Sequence, residues 1–258
     1  MKQFLLVFLL VAMTSAQQKP DAGLLSLRNV SLRAAPRSVE DPARGDRFWR
    51  LHAKLKEPAL DAVVLAYALR GHQQLRTSGM LSNEHILSIL DYSLSANRPR
   101  FFVIDLKKEV ILYKSLAAHG KNSGLEFTHK LSNQIESLQS SLGFFVTGET
   151  YQGKHGYSLR IDGVEYAFNH HARVRNIVIH EGRNNAGEAY VSKDFVRRLG
   201  RLGRSDGCPA LEPEQCKAII DAIRGKSCFF AYYPDPDYFQ RSPVLKSPTQ
   251  LVASRSGR

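Results

Sequence analysis

Long apolar runs are almost missing from this 258-residue sequence. The one continuous run, residues 5–13, falls short of the ~20 residues that cross a bilayer, so no transmembrane anchor is expected. No cysteine follows that run closely, which argues against a lipoprotein anchor. Internal repeats, heptads and a glycine-rich nucleotide loop are also missing, removing solenoids, coiled coils and the well-marked nucleotide enzymes. No HExxH or CxxC spacing occurs, so a zinc site built from His155, His170, His171, His180 and Cys208 is a weak alternative, and neither metal nor cofactor is expected. Acidic residues are scarce relative to basic ones, 24 against 36.

The resulting formal charge of +12 favours an anionic partner. Nucleic acid is not expected, because no nucleic-acid motif appears and the first residues read as an export signal. Lys2 precedes the apolar run and Thr14-Ser15-Ala16 offers small residues for cleavage, so residues 1–16 are expected to be a signal peptide. A basic exported protein beside an acidic wall polymer, in the periplasm or cell envelope, fits both features. Three cysteines remain, Cys208, Cys216 and Cys228. An odd number in an oxidising compartment leaves at least one unpaired. A Cys216–Cys228 disulfide is one arrangement, and two buried apolar thiols are the other. Cys208 is the best candidate for a free thiol.

With 43% hydrophobic residues the chain can bury a substantial core. Residues 17–45 mix Pro, Arg, Ser and Ala without period and read as a disordered leader. Residues 48–76 read as helical, with Trp49 in the core, Pro58 opening the longer helix, and Gly71 and Gly79 loosening its end. Residues 86–92 suggest a helix turn running into a strand. Residues 101–106 and 110–116 read as a hairpin about Lys107-Lys108-Glu109. Residues 120–160 carry functional loops by composition, interrupted by a strand at 144–147, with a turn-rich link over 149–156 leading to a strand at 157–161. Asp162-Gly163 is a hairpin signal. A buried strand over 175–180 ends on His180, a helix follows near 193–199, another occupies 213–224, and 228–233 is a last strand. Residues 234–258 read as a flexible tail. The expectation is one mainly β domain with added helices (α+β) over 46–233, with an N-terminal helical region.

The chemistry concentrates in Gly203-Arg204-Ser205-Asp206-Gly207-Cys208-Pro209-Ala210. Glycine before the cysteine allows a sharp turn that brings N–H groups near the sulfur. Neighbouring Arg201 and Arg204 favour the thiolate, the reactive form. Read alone, the stretch is equally a Gly/Pro surface turn. His180, held at a strand end, is the residue to take a proton from such a thiol and return it to a leaving amine. Its bland alternative is a histidine that caps the strand.

Ile177-Val178-Ile179-His180, the run Gly200 to Leu211, Ala118-His119-Gly120, Gln139-Ser140-Ser141-Leu142-Gly143-Phe144 and Gly153-Lys154-His155-Gly156-Tyr157 together resemble the murein L,D-transpeptidase catalytic-domain family, in its long-spaced branch ending Ser-x-Gly-Cys-Pro-Ala-Leu. The resemblance spans roughly residues 60–233. It implies a β-sandwich or barrel core and a cysteine acyl transfer on peptidoglycan tetrapeptide stems. The thiolate displaces terminal D-alanine, and a stem amine resolves the thioester into a 3–3 cross-link. Water in its place gives an L,D-carboxypeptidase, and an envelope-protein lysine gives protein anchoring. A wall-peptide binding protein without turnover is the alternative of another class. By similarity Cys208 is nucleophile and His180 base and acid, oriented by a backbone carbonyl from the Ser205 region. Ser205 and Gly207 shape the loop, and N–H groups around Gly207 and Cys208 are oxyanion donors. Arg204 and Arg173 are candidates for substrate carboxylates, while His119, Asn133, Ser141, Tyr151 and His155 are candidates to line the cleft. Two features depart from the common pattern: Pro209-Ala210-Leu211 stands where an arginine follows the cysteine, and Glu181 follows the histidine where glycine is usual.

Overall fold

Bulky residues in unbroken runs build the centre of the molecule. The computed structural model describes residues 42–246, so the signal segment, most of the leader and the end of the tail lie outside the described residues. Nine strands form one barrel-like sheet. They are β1 (Ile86–Asp91), β2 (Phe101–Asp105), β3 (Val110–Ser115), β4 (Ala117–Ala118), β5 (Gly143–Gly153), β6 (Gly156–Gly163), β7 (Val178–Glu181), β8 (Ala210–Leu211) and β9 (Cys228–Tyr232). Their spatial order is β3-β2-β1-β9-β5-β6-β7-β8-β4, antiparallel except for the parallel pairs β1–β9 and β7–β8. Five helices complete the described residues: α1 (Pro42–Leu55), α2 (Ala62–Thr77), α3 (Lys193–Leu199), α4 (Pro213–Ile223) and α5 (Pro236–Arg241). The chain is mainly β with added helices, as expected.

Side chains alternate across a strand, so adjacent phenylalanines serve opposite faces. Phe102, Phe144 and Phe230 pack with Val64, Leu65 and Ala68 of α2. Phe101, Phe145 and Phe229 pack with Ile219, Ile220 and Ile223 of α4. The register pairs Phe144 with Phe230 and Phe145 with Phe229, and the first pair stacks at 4.2 Å between ring centroids. Each buried phenylalanine contributes roughly 1.5–3 kcal/mol. The central strands are therefore covered on both faces, which explains their lack of polar alternation.

Several expectations need correction. Residues 86–91 are strand throughout, because β1 lies between β2 and β9 and every one of its residues is buried. A short apolar run does not by itself distinguish helix from strand. The longer helix starts after Asp61, whose carboxylate accepts the Val63 N–H at 2.7 Å, rather than at Pro58. Gly71 does not loosen that helix: a Cβ there would sit 2.0 Å from the Phe144 ring, so the glycine lets α2 approach β5. Trp49 is 51% exposed, and Phe48 and Leu51 supply the buried contacts of α1. The turn-rich link over 149–156 is instead the long β5–β6 hairpin, turning at Lys154-His155 between paired Gly153 and Gly156. Asp162-Gly163 ends β6 without forming a hairpin; Gly163 is there because the Asn169 backbone packs against it. The tail does not begin at Pro234. Residues 236–241 form α5, and Tyr238 is fully buried, its hydroxyl donating to buried Glu165 at 2.9 Å.

Candidate active site

Two parallel strands bring Cys208 and His180 together. His180 of β7 pairs with Ala210 of β8, and its N–H reaches the Pro209 carbonyl at 3.4 Å. Cys208 lies two residues before Ala210, in a bend outside β8, where its sulfur meets the Asn176 carbonyl and the Val178 N–H. Both residues are nearly inaccessible, at 8% for Cys208 and 1% for His180. His180 Nδ1 lies 2.7 Å from the Glu181 carbonyl. A carbonyl only accepts, so Nδ1 carries the proton and Nε2 presents its lone pair. The orienting carbonyl is thus that of the next residue. The Ser205 carbonyl, the expected source, accepts the Lys121 N–H at 2.7 Å instead.

Burial, then the charge of His155, holds His180 down at about 4, so the imidazole is neutral at neutral pH. Burial likewise pushes the Cys208 thiol up to about 11; the Val178 N–H, Lys154 and Arg175 oppose this, and Asp206 reinforces it. Both shifts favour thiol and neutral imidazole over thiolate and imidazolium at rest. Sγ donates to the Asn176 carbonyl at 3.6 Å, and no hydrogen bond joins it to the imidazole. Arg201 and Arg204 do not serve the thiolate as expected. Arg201 donates to the Leu202 carbonyl, and Arg204 donates to the carbonyls of Lys121 and Gly124 at 2.7 and 3.3 Å, bracing that loop.

The loop that carries Cys208 is held by serines. Ser205 Oγ donates to the Cys208 carbonyl at 2.7 Å and accepts the Gly207 N–H at 3.1 Å. The Gly207 N–H is thereby taken within the loop. Gly207 has φ +125°, and a Cβ would meet the Gln139 carbonyl at 2.8 Å, so only glycine fits. Ser140 Oγ donates to the Gly207 carbonyl and accepts the Gly120 N–H, both at 3.0 Å.

The remaining sequence candidates divide sharply. His155 is brought to the site, its ring stacked on His180 at 4.3 Å and 20°. Tyr151, on the same hairpin, lies under the Arg160 guanidinium. His119 does not line a cleft: its Nδ1 accepts from Arg100 at 2.8 Å, its Nε2 is buried without a hydrogen bond, and its carbonyl accepts the Ser205 N–H at 3.0 Å. Burial and then Arg100 hold its imidazole down at about 3. Ser141 is also a brace, donating to the Ser132 carbonyl at 2.9 Å and accepting from Arg175 at 2.6 Å. Asn133 holds His170 and His171. Arg173 is not available to a substrate carboxylate, since Asp162 and Glu149 occupy its fork. All three cysteines are free and buried, with Cys216 and Cys228 in separate clusters on opposite faces of the sheet. The histidines named for zinc do not converge: among the described residues no group of three His, Cys, Asp or Glu side chains is placed to hold a metal.

Arg175 was not singled out by the sequence. Its guanidinium donates to the Ser132 and Gln139 carbonyls and to Ser137 and Ser141, fastening the 132–141 loop beside Cys208. Nothing in Arg173-Val174-Arg175 marks the second arginine over the first; only the fold separates them.

A family model described as the L,D-transpeptidase catalytic domain matches residues 56–232, which include the whole of this site. No curated protein sequence matches. Among solved structures, an L,D-transpeptidase from Mycobacterium smegmatis aligns at 14% identity and a TM-score of 0.35, over 58% of this chain and 59% of that one.

Proposed function

The chain belongs to the L,D-transpeptidase catalytic-domain family, and from that premise we propose that it transfers acyl groups between peptidoglycan stems through a Cys208 thioester. The observation that carries this reading is the Nδ1–H bond to the Glu181 carbonyl, which leaves Nε2 of a neutral imidazole as a base on β7, the strand paired with the one that the Cys208 loop enters. A base must be unprotonated and positioned before its strength matters.

Nε2 of His180 accepts the thiol proton as Sγ adds to the carbonyl of the third stem residue. The tetrahedral oxyanion meets the Cys208 N–H, whose loop is prearranged by Ser205 and Ser140. His180 then returns the proton to the departing D-alanine amine, leaving the thioester. The amine of a second stem attacks that thioester, Nε2 takes its proton, and the 3–3 peptide bond forms as Cys208 recovers its thiol. Because the resting thiol is neutral, proton transfer accompanies attack instead of preceding it. The same proposal places the protein in the cell envelope, where this polymer lies.

The test is mass spectrometry of products from purified disaccharide-tetrapeptide. The expected products are D-alanine and a cross-linked dimer, and Cys208→Ala should abolish both while leaving the thermal unfolding temperature nearly unchanged. Tripeptide without dimer would identify water as acceptor. Full activity in the Cys208→Ala protein would remove the thioester mechanism.

A further inference from the structure

The turn of the β5–β6 hairpin is two residues long, Lys154 and His155, closed by the Gly153–Gly156 pair. The His155 ring rests on His180, which fixes the turn over the base. Lys154 is exposed at that turn, and its charge bears on both Cys208 and His180. The other cations around the site already have partners. Arg175 holds the 132–141 loop, Arg204 holds the carbonyls of Lys121 and Gly124, and Arg100 holds His119 and the Ala117 and Leu94 carbonyls. Lys121 pairs with Asp206 at 2.9 Å, which also removes the loop's own carboxylate from Lys154. Lys154 has neither a hydrogen bond nor an ion pair among the described residues.

We propose that Lys154 receives the free carboxylate of the residue that leaves, and so sets a preference for a stem with a charged terminus over one with a terminal amide. The inference rests on the acyl-transfer reading above. In such a stem the terminal carboxylate belongs to the residue next to the attacked carbonyl, and consecutive Cα atoms are only about 3.8 Å apart. A cation at the turn whose next residue stacks on the base is therefore on the side from which that group would be met. An ammonium on a four-carbon stem suits this task, since it follows a single carboxylate without demanding the planar fork of an arginine. A stem with one more residue would carry its charge about 3.3–3.6 Å further out, and a terminal amide would carry none.

The experiment compares steady-state D-alanine or D-alaninamide release from a tetrapeptide stem and from its C-terminal amide. Wild-type, Lys154→Ala and Lys154→Arg proteins are each measured with both substrates. Wild type should prefer the free acid by on the order of tenfold in kcat/KM, the size of one hydrogen bond to a charged group. Lys154→Ala should bring that ratio close to one through a higher KM for the acid, and Lys154→Arg should restore most of it. Taking a ratio cancels any effect of the lysine charge on thiol reactivity. An unchanged ratio in Lys154→Ala, or an amide accepted as well as the acid by wild type, overturns the assignment. If wild type releases nothing from either substrate while Cys208 still reacts with iodoacetamide, the acyl-transfer reading fails first and takes this assignment with it.

Discussion

Phe230 and His119 are about equally hidden from water, at 0% and 1%, but what surrounds them differs in kind. Phe230 lies between Phe144, Tyr232 and Tyr238, held by ring contacts that any well-shaped apolar neighbour provides. His119 is held by a few hydrogen bonds, from Arg100 and Thr128 to its ring and from Ser205 to its carbonyl. The apolar centre is redundant, since dispersion is shared over many atoms. The corner around Cys208 is not redundant, because each buried polar group there depends on a few particular partners. The first region sets how stable the molecule is, and the second sets where the sulfur and the imidazole point.

That contrast breaks most visibly under truncation. Phe230→Ala should lose about 3–5 kcal/mol of unfolding free energy, through lost burial and the cavity left beside Phe144. Protein that remains folded should keep its kcat. Urea unfolding monitored alongside turnover checks both halves of the statement. A large fall in kcat with little loss of stability would mean that the two regions are not separable.

Arg175→Met is the intermediate case, because the arginine belongs to the polar corner while its stem packs with the loop. Removing the fork strands the Ser132 and Gln139 carbonyls, for a loss of about 1–3 kcal/mol. The loop it fastens lies against Gly207, so kcat should fall by one to two orders of magnitude, as a misplacement of about 1 Å does. Arg175→Lys keeps the charge without the fork and should recover little. If Lys restored full turnover, charge beside Cys208 and not loop geometry would be what Arg175 supplies.

The two regions also differ in how far the sequence reveals them. Phe101-Phe102, Phe144-Phe145 and Phe229-Phe230 announce strands buried on both faces because an unbroken run of bulky residues is a local property of the chain. The helices over Lys193–Leu199 and Pro213–Ile223 are equally local, each with its cap or its opening proline. Cys208 and His180 were legible through their own chemistry and the blocks around them. The braces were not. Arg175, Ser140 and Arg100 act on partners up to 43, 67 and 19 residues away respectively. For the same reason Ser141 and His119 read as cleft residues and Arg173 as a binder of substrate carboxylate, although the fold gives each a partner within the chain. The course of α5 was hidden too, since Tyr238 is anchored by Glu165, which no pattern near Pro236 foretells.

The smallest effect discriminates most finely, because it compares thiols within one protein. Cys208 is 8% exposed with its thiol raised to about 11, whereas Cys216, raised to about 12, is 2% exposed and Cys228 is fully buried. Iodoacetamide should therefore modify Cys208 first, and its rate should climb about tenfold per pH unit from 7 to 10 with no plateau near 6, because alkylation follows the thiolate fraction. The sign follows from burial: the folded state keeps the proton that an unfolded thiol, at 9.0, would release, so raising the pH creates thiolate against the fold. The same inequality makes this cysteine lower folding stability as pH rises from about 9 to about 11. His180→Ala should leave the alkylation profile nearly unchanged, since the neutral imidazole forms no ion pair with the resting thiol, yet it should abolish transfer from the stem. A plateau beginning below pH 7 that vanishes in His180→Ala would reveal a preformed thiolate–imidazolium pair, and with it a site whose charge is separated before substrate arrives.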